Sequence, residues 1–215
     1  MRRIYSTLFA LVCASIFAYG QYTTITNFDR PRPDTLFATG GEAPSTIVLK
    51  VDSTNKTEGA ASLAVKGVLA SKHSWGTYLE FGENAPAGQY FNWSTSESLS
   101  VWIKVKTKPA KPENISFRFQ VTDQPTAGDP VEYWDYENKT ILDNVNSGWV
   151  NLRVSLRERT STGNEDPDST GFILPPSSWG LSQNNKKFDL DKLVTWRMVI
   201  VSAPTDADSV AVSFD

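Results

Sequence analysis

The sequence predicts an all-β protein, a single jelly-roll β-sandwich of antiparallel strands behind an export signal. Three observations carry this. Apolar residues recur at period 2 in segment after segment, Gly, Pro, Asn and Asp punctuate those segments, and no long stretch carries a helical period. Strands separated only by turns, with no alternating helices, mark a sandwich rather than a parallel α/β sheet.

The N-terminus opens with Met1-Arg2-Arg3, continues in an apolar run from Leu8 to Ala18, and reaches Ala18-Tyr19-Gly20 before Gln21. This is the order of a secretory signal peptide, cleaved after Gly20. The run is about half of the roughly 20 apolar residues that a spanning helix needs. The chain therefore divides into a signal peptide, 1–20, and one β-sandwich domain, 21–215, which is secreted, periplasmic or on the cell surface and has no membrane association after cleavage. Cys13 is the only cysteine, so the mature domain has neither a disulfide nor a thiolate metal site. Loss of Arg2 and Arg3 leaves 19 basic against 24 acidic residues, a net charge of −5. Nucleic acid is thereby excluded as a partner, since its affinity depends on clustered Lys and Arg. A core without disulfides is affordable, because the chain holds 7 Trp, 7 Tyr and 11 Phe. The domain is expected to be a monomer.

Strands are expected at residues 62–66, 77–81, 99–105, 115–122, 131–136, 149–156, 194–201 and 209–214. Alternation sends Leu63, Val65, Leu79, Phe81, Leu99, Val101, Ile103 and Val105 inward, followed by Ile115, Phe117, Phe119 and Val121. Val150, Leu152, Val154 and Leu156 do the same in a later strand. Residues 159–171, rich in Ser, Thr, Gly, Asn and Asp, form a long exposed loop, and residues 172–185 with Pro175-Pro176 are also irregular. No internal repeat and no linker mark a second domain.

The order of short motifs resembles the galactose-binding-like jelly rolls, including carbohydrate-binding modules of families 11 and 30. The matching segments are Asn27-Phe28-Asp29, the run Thr57-Glu58-Gly59 to Val65, Phe91-Asn92-Trp93-Ser94 before the strand at 99–105, and Gly148-Trp149-Val150-Asn151-Leu152. Phe188-Asp189-Leu190-Asp191-Lys192-Leu193 and the final Ser209 to Asp215 complete the series. The resemblance implies a secreted, non-catalytic module that binds plant or microbial polysaccharide. It also implies a structural calcium ion joining Asp29, the loop containing Glu58, and Asp215, since calcium takes six to eight oxygens.

For a sugar ligand, an aromatic ring covers the C–H side of the pyranose while planar polar groups bond its hydroxyls. If Phe117 and Phe119 point inward, Arg118 and Gln120 point outward, beside Trp102. Trp134 and Tyr136, in the cluster Tyr133-Trp134-Asp135-Tyr136-Glu137 after a Pro/Gly turn, form the expected aromatic platform. Tyr78 and Arg153 alternate away from the core of their own strands, as do Glu80 and Arg197. Trp75, Trp93, Trp149 and Trp196 are assigned to core or loop anchoring, and Trp179 either pins its loop or reaches ligand.

Two rival classes stay open. One is a polysaccharide lyase or glycoside hydrolase on a jelly roll, and the other is an adhesive surface protein without a glycan ligand. Hydrolysis needs two carboxylates on one face. No strand carries a Glu-x-Asp-x-Glu pattern, and Glu132 and Asp135 fall on opposite faces. A zinc site is excluded by the single histidine, His73, and the absence of mature cysteine.

Overall fold

The computed structural model describes residues 28, 37–70, 73–143, 148–159, 171–203 and 207–215. The signal peptide therefore lies outside the described residues, as do Asp29 and most of the loop at 159–171. Ten strands form two sheets. They are β1 (Ala38–Gly41), β2 (Thr46–Asp52), β3 (Ser62–Leu69), β4 (Thr77–Asn84), β5 (Ser98–Thr107), β6 (Ile115–Asp123), β7 (Glu132–Asn138), β8 (Val150–Ser155), β9 (Leu193–Ser202) and β10 (Asp208–Phe214). The first sheet has the order β1-β4-β9-β6-β7 and the second β2-β3-β10-β5-β8. All neighbours are antiparallel. Only β2–β3 and β6–β7 are consecutive neighbours within a sheet, so every other connection crosses between the layers, as in a jelly roll.

Each of the eight expected strands is present. The two additions are β1 and β2. In β2 the residues Ile47, Leu49 and Val51 turn inward, but Val48, 61% exposed, interrupts the apolar–polar alternation. The short β1, Ala-Thr-Gly-Gly, has no apolar period at all and is recruited by pairing with β4.

The sheets close on one apolar core. Phe119 stacks on Trp196 at 6.1 Å with an interplanar angle of 5°, Phe37 meets the same indole edge-on at 5.9 Å, and Phe81 and Phe117 both pack on Phe214 across the sandwich. Trp196 is 1% exposed and belongs to the core as expected. Trp196→Ala is predicted to lower the unfolding free energy by roughly 3–5 kcal/mol, read from the midpoint of urea unfolding at constant slope.

Candidate functional site

The outward residues of the first sheet form one continuous face. Registers align Tyr78 with Val201 and Ser116, Glu80 with Val199 and Arg118, and Gly82 with Arg197 and Gln120. On the far side, Arg118 faces Glu137, Gln120 faces Asp135, and Thr122 faces Tyr133. Arg118, Gln120 and Tyr78, three of the seven residues expected to contact sugar, are brought together here.

The floor of this face is a hydrogen-bonded polar network. Gln120 Nε2 donates to Asp135 Oδ1 at 2.8 Å, and the two ends of the Arg118 guanidinium lie 3.8 Å from Asp135 Oδ2 and 3.6 Å from Glu137 Oε2. Arg197 reaches across Gly82, where no side chain stands in the way, and donates to Glu83 O at 2.7 Å, to Trp196 O at 2.8 Å, and to Asn84 Oδ1. Its Nε lies 3.9 Å from Glu80. Burial raises the pKa of Asp135 despite the opposing pull of Arg118 and Gln120, and burial likewise raises that of Glu80 against Arg197. Two guanidiniums and two amides are thus fixed in orientation, which lowers the ordering cost of bonding a ligand's hydroxyls.

Exposed indoles border the floor. Trp179, 56% exposed, ends the one-turn 3-10 helix Ser177–Trp179 that follows Pro175-Pro176, with the Arg118 guanidinium 5.8 Å from its ring centre. Trp75, 53% exposed, lies beside Tyr78 at 6.5 Å and parallel to His73 at 5.0 Å, while His73 Nε2 is 3.1 Å from Glu42 Oε2. Strands β4 and β6, which carry Tyr78 and Arg118, both flank β9, so Tyr78 beside Trp75 and Arg118 beneath Trp179 stand on strands about 10 Å apart. Trp75 was assigned to anchoring from the sequence, but half of its surface meets solvent because it occupies a tight turn, His73 to Gly76, outside the sheet.

The expected aromatic platform is corrected. Trp134 and Tyr136 are 2% and 3% exposed and point into the core. Their partners in the β6–β7 register are Val121 and Phe119, both inward, so period 2 turns the pair in and sends Tyr133, Asp135 and Glu137 out. Asp135 and Glu137 are therefore two acids sharing one face, at the two-residue spacing that their positions in the sequence dictate. The cue was available, since burying two carboxylates costs far more than burying two aromatic rings. Trp102 and Arg153 are corrected too. They lie on the outer face of the second sheet, on β5 and β8, with the whole core between them and Arg118.

Trp134 instead supports the site from below. Its ring stacks on Phe188 at 5.0 Å and its indole N–H donates to Asp123 Oδ2 at 3.1 Å. The same oxygen accepts the Asp189 N–H at 2.8 Å, Glu132 Oε1 accepts the Lys186 and Asn184 N–H groups, and Glu158 Oε1 accepts that of Phe188. The buried carboxylates of Asp123 and Glu132, with the exposed Glu158, thus tie down the segment that follows Trp179 in the chain. Asp123 and Glu132, opposite each other in the register and fully buried, each keep one oxygen without a donor. Burial, with help from Glu132 and Asp189, pushes the Asp123 pKa up to about 7.

Of the three residues expected to hold calcium, Glu58 and Asp215 lie among the described residues and Asp29 does not. Asp215 Oδ2 accepts the Thr57 N–H, the Thr57 hydroxyl at 2.7 Å, and the Glu58 N–H at 3.0 Å. The Lys56 ammonium donates to Gly59 O at 2.7 Å and Ala60 O at 3.0 Å. A calcium ion needs bare, converging oxygens, whereas these already face hydrogen-bond donors. In this structure the Asp215 carboxylate bonds protein donors instead. Glu58 itself is exposed, and among the described residues no three His, Cys, Asp or Glu side chains gather as a metal site.

No known protein family matches the chain, and no curated protein matches it. Solved structures of similar architecture do. A carbohydrate-binding module of the β-sandwich superfamily, studied for promiscuous specificity, superposes with a TM-score of 0.48 at 10% identity, over 82% of this chain and 54% of its own. The family 30 carbohydrate-binding module of the cellulosomal cellulase Cel9D-Cel44B of Clostridium thermocellum gives 0.47 at 12% identity, over 84% and 91%. An exo-β-agarase gives 0.41 at 16%, over 81% of this chain and 22% of the enzyme. The chain thus spans about half of the first structure and under a quarter of the agarase. By its own topology it is a two-sheet antiparallel β-sandwich with jelly-roll crossovers.

Two outcomes follow. Because the folded pKa of Asp123 lies above the ordinary carboxylate value of 3.8, its contribution to stability is full below about pH 4 and is lost as pH rises through about 7. The raised pKa values of Glu80 and Asp135 act with the same sign, while Asp52, held low mainly by Lys106, acts oppositely at more acid pH. Urea midpoints should fall between pH 4 and 7.5, and Asp123→Asn should flatten that slope. At the Asp215 clasp, Lys56→Met should lower the melting temperature by a few degrees, whereas a chelator should leave the parent protein's unchanged.

Proposed function

We propose that this chain is a secreted, non-catalytic module that binds polysaccharide across the outer face of the first sheet, between Trp75 and Trp179. The observation that carries this reading is the Arg118–Gln120–Asp135–Glu137 network with Trp179 over the guanidinium, planar hydroxyl-bonding groups beside an exposed aromatic surface. Export rests on the pattern of residues 1–20, and the likeness to carbohydrate-binding modules agrees in fold.

The charges on this face favour an uncharged glycan. Both guanidiniums are already matched by Glu80, Asp135 and Glu137, so neither is free for a ligand's carboxylate or sulfate. Binding should therefore depend on stacking and neutral hydrogen bonds and respond little to salt.

A second reading, cleavage, is favoured by one observation, that Asp135 and Glu137 lie two residues apart on the same face. The Arg118 guanidinium approaches both, which suits them to holding an arginine rather than to exchanging protons with substrate. Affinity electrophoresis against β-glucans, xyloglucan and mannan should show retardation that persists in 0.5 M salt. Trp179→Ala and Arg118→Ala should each weaken it about tenfold or more, while Trp102→Ala leaves it unchanged. Absence of retardation on every neutral glycan overturns the reading, and release of new reducing or unsaturated ends replaces it with an enzyme.

A further inference from the structure

Two ionisable side chains of the core take no part in the glycan face itself. Asp123 and Glu132 stand opposite each other in the β6–β7 register, both 0% exposed, and each keeps one oxygen, Asp123 Oδ1 and Glu132 Oε2, without a donor. The charges acting on Asp123 are those of Glu132 on β7 and Asp189 on the segment packed against both, and each is negative. The Lys187 ammonium, largely exposed, lies 3.5 Å from Asp189 Oδ1, and among the described residues no cation forms an ion pair with Asp123 or Glu132. Two facing, fully buried carboxylates without a cation do not both stay ionised.

The remaining oxygens of the pair hold the loop that carries Trp179. That loop leaves β7 at Ile173, whose N–H and C=O exchange hydrogen bonds with those of Asp135, both at 2.9 Å. Gln183 Nε2 closes it by donating to Pro175 O at 2.8 Å, and the chain returns to β7 at Glu132, whose Oε1 accepts the N–H groups of Asn184 and Lys186. Lys186 has φ 58°, a left-handed conformation that a lysine takes up rarely unless its surroundings impose it. Asp129 accepts from the Asn184 amide, Glu158 from the Phe188 N–H, and Asp123 Oδ2 from the Asp189 N–H. Both feet of the Trp179 loop therefore rest on β7, one through backbone and the other through the Glu132 carboxylate.

We propose that Asp123 and Glu132 share one proton, held between Asp123 Oδ1 and Glu132 Oε2, and that this proton positions the Trp179 loop over Arg118. With the proton in place, Glu132 is an anion matched by backbone N–H groups and Asp123 is neutral. Loss of the proton to solvent leaves two facing anions, whose repulsion is relieved when residues 184–189 lift and Trp179 moves with them. This regulation rests on the reading of the first face as a glycan site, and it makes binding tightest in acid. Because the Asp123 pKa is pushed up to about 7 in the closed form, chiefly by burial, closure is favoured fully below about pH 4 and that preference is gone above about 7. Glu80 and Asp135, also with raised pKa values, lie on the face and His73 borders it, so variants of the pair are needed to assign the pH profile.

Amide hydrogen exchange of the ligand-free protein, expressed as protection factors, tests the shared proton, and calorimetric titration with a neutral mixed-linkage β-glucan tests its consequence. Between about pH 4.5 and 7.5 the protection of the Asn184, Lys186 and Asp189 amides should fall about tenfold or more, and glucan affinity about threefold or more. Asp123→Asn puts an amide where the proton was and should abolish the fall in protection and most of the fall in affinity. Glu132→Gln, whose amide donates to an ionised Asp123, should move both transitions to lower pH. Protection that is constant with pH, or that falls equally in the Asp123→Asn variant, overturns the proposal. So does glucan affinity whose pH profile that variant leaves unaltered. Falling protection without glucan binding at any pH overturns the glycan reading alone and supports the shared proton.

Discussion

Strand β6 pairs with β9 on one side and β7 on the other, and the register of those two ladders governs the rest of the structure. Phe117, Phe119 and Val121 must enter the core because they are too apolar to leave in water, at about 25 cal/mol for each Å² buried. Once they do, period 2 leaves no freedom for Arg118 and Gln120, or for the partners aligned with them. A slip of one residue in β7 would expose Trp134 and Tyr136 and turn Asp135 and Glu137 toward the aromatic core, away from Arg118 and Gln120.

The buried end of β7 shows how the core and the candidate site are joined. Glu132 and Asp123 are carried inward by the same register, and they survive there because backbone N–H groups of residues 184–189 donate to them. An irregular segment without secondary structure of its own is thereby held against the sheet, with Trp179 a few residues upstream. The stability of this arrangement is linked to the proton on Asp123, and so the geometry around the first face and the pH response of the fold share a cause.

The two outer faces differ although both come from the same alternation. On the first sheet every guanidinium has carboxylate neighbours, and the face is set up for neutral hydrogen bonding beside exposed indoles. On the second, Lys106 pairs with Asp52 and Lys104 bonds Asn55 over a buried Ser213, while Lys50, Lys66 and Arg153 stand exposed. Chain order mixes the two, since β4, β6, β7 and β9 alternate along the sequence with β5, β8 and β10. Residues that look like one surface in sequence, such as Trp102 and Arg118, lie on opposite sides of the molecule.

By itself the sequence determined the class of fold, eight of the ten strands and about half of the core, because period-2 alternation of Leu, Val, Ile and Phe is a local signal with a large energy behind it. It also placed Arg118, Gln120 and Tyr78 on a non-core face correctly. It did not determine the direction of β7, where aromatics occupy one parity and acids the other, nor the edge strand β1, which has no period and exists only through its pairing. Above all, it could not say which outward residues share a sheet. That was decided by the crossovers of the jelly roll and the registers they impose, which set Trp102 and Arg153 apart from Arg118 and brought Trp75 and Trp179 to the border of one face.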